Sequence, residues 1–139
     1  MNQPTLQSLR PCLEGILPAV IATVAEDGTP NVTYLSKVWY VDETHVALSN
    51  QFFNKTLANL RRNPKIQLLL MNPPDGQHYR LDVEYLRTDY AGEMFDRMSA
   101  EIDALASVFG MQGVFKLRSL EVCRVHRIEG VPCELASTS

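Results

Sequence analysis

The sequence predicts a mainly-β chain with a few helices (α+β), built as an antiparallel barrel with helices packed at its ends. Three observations carry this. Apolar stretches of strand length follow one another with tight turns between them, the helical period is confined to a few segments, and the regular strand-helix alternation of a parallel sheet is absent. With 139 residues, 45% of them hydrophobic, the chain fits one domain, residues 1–139, around one continuous core.

Composition narrows the function classes. The formal net charge of −3 argues against a broad nucleic-acid surface. Cys12, Cys123 and Cys133 are odd in number and widely separated, which is the pattern of free thiols in a reducing compartment and not of a metal site or disulfide framework. The longest apolar runs, Ile16 to Val24 and Ile66 to Met71, fall well short of the roughly 20 residues that span a bilayer. The first residues lack a basic segment followed by a long apolar core. A cytoplasmic protein without membrane or nucleic-acid partners is the expectation.

Residues 1–14 form a helical segment in which Leu6, Leu9 and Leu13 make one stripe, Thr5 is a candidate cap and Pro11 breaks or restarts the helix. Ala19 to Ala25 is an apolar strand ending at Glu26-Asp27-Gly28-Thr29, where Asp27-Gly28 signals a hairpin turn. Pro30 opens a long second strand, Asn31 to Val41, rich in β-branched and aromatic residues. Both its faces are chemically mixed, which suits a barrel wall that packs inside and carries a ligand or partner outside.

After the turn Asp42-Glu43-Thr44, His45 to Ser49 is a compact strand. Asn50-Gln51-Phe52-Phe53-Asn54 is a turn, Lys55 to Arg62 is helical, and Asn63-Pro64 stops the helix. Asn54 is a good N-cap, which puts Lys55 and Thr56 in the first helical turn. The positive end of the helix dipole disfavours a lysine there unless an anion joins it, most simply a phosphate. The alternative is a lysine pointing into water.

Lys65 to Met71 is a nearly continuous apolar strand, expected to be covered on both faces. Asn72-Pro73-Pro74-Asp75-Gly76 is a turn. Tyr79, Leu81, Val83 and Tyr85 then alternate with His78, Arg80, Asp82 and Glu84, giving one buried and one polar face. Arg80 is a candidate ligand contact on the polar face, with an ion-paired arginine as the plainer reading. From Gly92 to Phe109 the period lengthens: Met94, Phe95, Met98, Ile102, Leu105 and Phe109 line one helix face and Gly110 is the stop. One or two strands follow between Gly113 and Ile128, with an irregularity near Ser119. The tail 132–139 is aperiodic and expected to be disordered.

Gly28-Thr29-Pro30-Asn31-Val32-Thr33-Tyr34, then Val46-Ala47-Leu48-Ser49, then Phe52-Phe53-Asn54-Lys55-Thr56, closed by Asn63-Pro64, resembles the pyridoxamine 5′-phosphate oxidase-like family of FMN-binding split barrels. The similarity runs from about Leu13 to Ile128. It implies a six-stranded antiparallel split β-barrel and a homodimer with FMN at the interface. Lys55 then matches the phosphate-binding lysine and Ser49 the hydroxyl at the strand end, with Thr56 as a further donor and Asn50 and Asn54 in the same turn. Asn54 stands where the family often has arginine, one positive charge fewer, which implies a weaker grip on phosphate. Thr33, Tyr34 and Ser36 fall where the family lines the flavin ring and ribityl chain. Phe52 and Phe53 pack on the ring or across the dimer, and Arg80 approaches the pyrimidine edge, where a cation stabilises reduced flavin.

Arg127-Ile128-Glu129-Gly130-Val131-Pro132 departs from the aromatic, arginine-rich end of true pyridoxamine 5′-phosphate oxidases, so that reaction is not expected. The resemblance implies an FMN-dependent oxidoreductase of unknown substrate. The alternative is a flavin- or haem-binding or sensory module of the same fold, and a deazaflavin also carries the required phosphate. His45, His78 and His126 lack ligand spacing, and no metal site is expected.

Overall fold

The computed structural model describes residues 4–14, 19–35, 37–50, 55–72, 75–111 and 116–131. A short 3-10 turn, Gln7–Leu9, leads into α1, Arg10–Glu14. Strands β1 (Ala19–Val24), β2 (Pro30–Leu35), β3 (Val38–Asp42) and β4 (His45–Asn50) precede α2 (Lys55–Arg62). Then come β5 (Lys65–Met71), β6 (His78–Asp89), α3 (Glu93–Val108) and β7 (Ser119–Val131). The strands form one sheet in the order β2-β1-β5-β6-β7-β4-β3, with every neighbouring pair antiparallel.

Connectivity forces this sheet to curl. Its two edge strands, β2 and β3, are consecutive in the chain, and Leu35 and Val38 are at most about 11 Å apart along an extended backbone. Seven strands laid flat would separate the edges by about 29 Å. The sheet therefore rolls to bring the end of β2 at Leu35 close to the start of β3 at Val38, and among the described residues no ladder joins β2 to β3: that is a split barrel. The single strand expected over Asn31 to Val41 is two strands, β2 and β3, so among the described residues the sheet has seven strands where six were expected. The two halves belong to one stretch of chain that passes from one edge to the other.

Each element follows from its local chemistry. The β1–β2 turn closes through Gly28, whose φ of +89° suits a residue without Cβ, and Asp27 accepts the Thr29 N–H at 2.9 Å. At the N-terminus Thr5 and Ser8 exchange side-chain-to-backbone hydrogen bonds, and Pro11 sits near the start of α1 where its missing N–H costs nothing. Helix α3 ends in a Schellman arrangement: Gly110, at φ +66°, donates to the Ser107 carbonyl and Met111 donates to that of Ala106.

The barrel interior is filled by Ile21, Leu35, Val46, Leu48, Leu68 and Leu81, with Leu6, Leu9 and Leu13 docked from the N-terminal segment. A second cluster lies outside the wall, where Trp39, Ala47 and Leu120 face Met98 and Ile102 of α3. The Trp39 indole N–H donates to Glu101 and pins the helix. Two expectations are corrected here. Strand β5 is not covered on both faces: Ile66, Leu68 and Leu70 are buried while Lys65, Gln67 and Leu69 are exposed, because a barrel strand presents one face outward. The apolar stripe of α3 runs through Met98, Ile102 and Ala106, whereas Phe109 lies beyond the helix end and is exposed.

Helices pack towards both ends of the barrel. The Asp75 charge helps to raise the Cys12 thiol, after burial as the larger cause, so α1 is near the β5–β6 turn. Helix α2 lies by the opposite turn: Asn59 donates to Thr23 at 3.2 Å, Arg62 pairs with Glu26, and Leu60 enters the core. Cys12 and Cys123 are buried free thiols; Cys133 and the tail lie outside the described residues.

Candidate functional site

The end of β4 is polar and buried. Alternation along the strand turns Val46, Leu48 and Asn50 into the barrel and Ala47 and Ser49 towards the other face. Ser49 holds the seam where β2 becomes β3: its Oγ accepts the Lys37 N–H at 3.1 Å, and its own N–H donates to the Lys37 carbonyl at 3.1 Å. Asn50 takes the Arg118 N–H on its carbonyl at 2.8 Å, and its Nδ2 donates to Ser119 Oγ at 2.9 Å.

From Ser119 a chain of hydrogen bonds runs along the inside of the barrel. Ser119 Oγ donates to Glu121 Oε2 at 2.9 Å, Thr88 Oγ1 donates to Glu121 Oε1 at 2.7 Å, and the Tyr85 hydroxyl meets Thr88. Glu121 has no exposed surface. Burial pushes its pKa above the ordinary glutamate value; the hydrogen bonds from Thr88 and Ser119 and the positive Arg61 of α2 oppose this, and Asp89 adds to it. The same burial, with the Glu121 charge, drives the Cys123 thiol far up and leaves it inert.

Helix α2 begins five residues after Asn50. Its first turn carries Lys55 and Thr56 and no acidic residue. The Ser49–Asn50 strand end, the Lys37 seam and the start of α2 thus converge in sequence and topology on one end of the barrel. Ser36, Asn54, Phe52 and Phe53 lie outside the described residues.

The other sequence candidates are dispersed. Thr33 faces inward and half-buried opposite Ile21, while Tyr34 on the outer face is 75% exposed opposite Val20. The two side chains do not share a surface. Arg80 pairs with Glu129 on the outer face. Glu129 stands ten residues beyond Ser119 on β7, about 30 Å of strand, so one protomer does not bring Arg80 to the Ser49–Asn50 end.

The outer face of β2-β1-β5 is unusually apolar for an exposed surface, with Val24, Val32, Tyr34 and Leu69 open. It borders a groove of about 670 Å³ lined by Ala22, Val24, Pro30, Gln67, Asp82 and His126, the last paired with Glu84 at 2.9 Å. Among the described residues no three His, Cys, Asp or Glu converge as metal ligands, and no helix is long and apolar enough to cross a membrane.

Sequence reasoning missed Lys37, Ser119 and Glu121 as members of this end. A glutamate inside Leu120-Glu121-Val122-Cys123 was the available signal, since a charged residue in an apolar strand is rarely buried without partners.

Comparisons with known proteins agree with this architecture. Residues 6–126 match the family described as Pyridoxamine 5′-phosphate oxidase. An uncharacterized protein of Methanocaldococcus jannaschii is 36% identical over 70 residues, 48% of this chain, and the match spans about half (47%) of that relative's length. The crystal structure of an FMN-binding protein from Syntrophomonas wolfei superposes with a TM-score of 0.76 at 20% identity, covering 91% of this chain and 86% of the other. HupZ of Group A Streptococcus gives 0.68 at 19% identity over 91% and 94%, and an F420 reductase gives 0.62 at 18% over 85% and 93%. At these identities the structural likeness establishes the fold, and the family match over most of the sequence establishes kinship: the chain is a pyridoxamine 5′-phosphate oxidase-like member of the pyridoxamine 5′-phosphate oxidase family.

Proposed function

We propose that the protein binds FMN as a homodimer and acts as a flavin-dependent oxidoreductase on a small-molecule substrate. One observation carries the reading: a buried polar strand end, Ser49–Asn50, leads within five residues to a helix whose first turn bears Lys55 and Thr56 and no carboxylate. That donor set fits a phosphate, because the helix start contributes free N–H groups, the dipole favours an anion, and Lys55 supplies the counter-charge. The FMN-binding protein of Syntrophomonas wolfei and the F420 reductase, similar in fold, support a flavin-like ligand.

FMN supplies hydride or electron transfer through its ring when bound. The chain's own residues bind and orient. Lys55 and Thr56 hold the phosphate, Ser49 keeps the β2–β3 seam closed beside it, and the apolar outer strands cover the ring when a second copy packs on them. A dimer also explains the separation of Arg80 from the Ser49–Asn50 end, because the partner presents its own outer face to this protomer's site. Buried free thiols at Cys12 and Cys123 suit a reducing, cytoplasmic setting.

The purified protein should show the two visible absorption bands of flavin; a sharp Soret band instead would identify haem. Lys55→Ala is expected to weaken FMN about 10-fold or more while leaving riboflavin nearly unchanged, as loss of one charge-assisted phosphate contact implies. Equal losses for both ligands would refute the phosphate assignment. Anaerobic bleaching by NADH or NADPH would separate a catalyst from a flavin carrier, and gel filtration at the monomer mass would refute the shared interface.

A further inference from the structure

We propose that the outer groove along β1, β5 and β6 binds a small apolar cation, an ammonium or amidinium group carried on a ring or a short aliphatic body. Its volume of about 670 Å³ is that of a small-molecule site, and Ala22, Val24, Pro30 and Pro64 give it an apolar side. Its polar groups are Lys65, Gln67, Asp82, Glu84 and His126. Lys65 and Gln67 of β5 stand directly opposite Glu84 and Asp82 of β6, so these four side chains share one face. His126 joins them through a bulge. Asp82 pairs with Arg127 and Val83 with Val125, which leaves His126 as the extra residue of β7, and its ring reaches Glu84 at 2.9 Å.

The hydrogen bonds among these groups fix what each offers a ligand. A carboxylate only accepts, so Gln67 turns its amide nitrogen to Asp82 at 3.1 Å and its carbonyl oxygen is left as an acceptor. In the same way a neutral His126 ring must carry its proton on Nε2 to meet Glu84, which leaves Nδ1 as an acceptor. Asp82 and Glu84 keep further lone pairs beyond these two bonds, and they lie two residues apart on one face, about 7 Å, close enough for one cation to be attracted by both. Lys65 is the one cation lining the groove, against two carboxylates. Arg124 and Arg127 stand opposite Glu84 and Asp82 on β7 but do not line it: Arg124 is exposed and Arg127 pairs with Glu129. A phosphate or carboxylate would meet like charge and acceptors here, whereas an ammonium or amidinium supplies the donors and the positive charge that this set lacks. The assignment therefore stands apart from the FMN reading and from Lys55.

The test titrates the purified full chain with benzamidine, an amidinium on an aromatic ring, and with benzoate, its anionic counterpart, following backbone amide shifts by NMR. Benzamidine should bind with a Kd of about 1 mM, as its roughly nine non-hydrogen atoms allow, and should shift the amides of Ala22, Val24, Gln67 and His126. Benzoate should bind at least about 10-fold more weakly. Asp82→Asn and Glu84→Gln keep the shape of the rim and acceptors for Gln67 and His126 while removing charge, and each should weaken benzamidine about 5-fold, the loss of one partly exposed ion pair. Lys65→Ala should leave benzamidine binding unchanged or tighter. No amide shift up to about 10 mM benzamidine, or equal binding of benzoate, would refute the cation site. Binding that survives both charge-removing substitutions, or shifts confined to other residues, would place the amidinium elsewhere and overturn the proposal. None of these readouts needs bound flavin, so a failure of the FMN reading would leave them intact.

Discussion

Glutamine in place of Glu121 should remove a pH dependence of stability that runs opposite to the usual carboxylate behaviour. Glu121 is fully buried, and desolvation raises its folded pKa above the value of 4.5 it has when exposed. The folded state therefore holds a proton on this group that the unfolded chain releases first. Its favourable contribution is complete below pH 4.5 and is lost as pH rises through the folded pKa. Each unit separating the two pKa values amounts to about 1.4 kcal/mol at 25 °C, or about 4 °C in Tm for a domain of this size. Glutamine fills the same space and keeps partners for Thr88 and Ser119 but does not titrate. The assay is urea unfolding of the wild type and Glu121→Gln from pH 4.5 to 8, read as the difference between them. That difference cancels the exposed carboxylates Asp27, Asp42 and Glu129, whose pKa values are lowered by hydrogen bonds or ion pairs and which act in the conventional direction. The variant should gain on the wild type as pH rises across this window. Parallel curves would show that Glu121 ionises as readily in the fold as in water, and would refute the burial argument.

Two further substitutions probe the frame of the site. Leu60→Ala empties the core position that seats α2 and should cost about 2–5 kcal/mol in urea unfolding; a loss under about 1 kcal/mol would mean that α2 is not held by the barrel core. Ser49→Ala leaves the Lys37 N–H without its side-chain acceptor at the β2–β3 seam and should cost about 1–3 kcal/mol, whereas no change in the urea midpoint would show that water replaces the hydroxyl there.

Local chemistry determined much of this protein. The hairpin at Asp27-Gly28, the strand His45 to Ser49, the helix Lys55 to Arg62 with its Asn63-Pro64 stop, the alternation of Tyr79 to Tyr85 and the Gly110 cap all depend on neighbours within a few residues, and all occur as expected. The family kinship was legible for the same reason, since its residues lie in these short motifs.

Tertiary structure alone decided three things. It divided Asn31 to Val41 into two edge strands, because a rolled sheet must be entered at one edge and left at the other. It exposed one face of β5, because strand burial depends on what covers the sheet and not on the composition of the run. It brought Asn50, Ser119, Glu121 and Thr88 together although Asn50 and Ser119 are 69 residues apart, and pairing at such a distance is set by strand order and register, which no local pattern encodes.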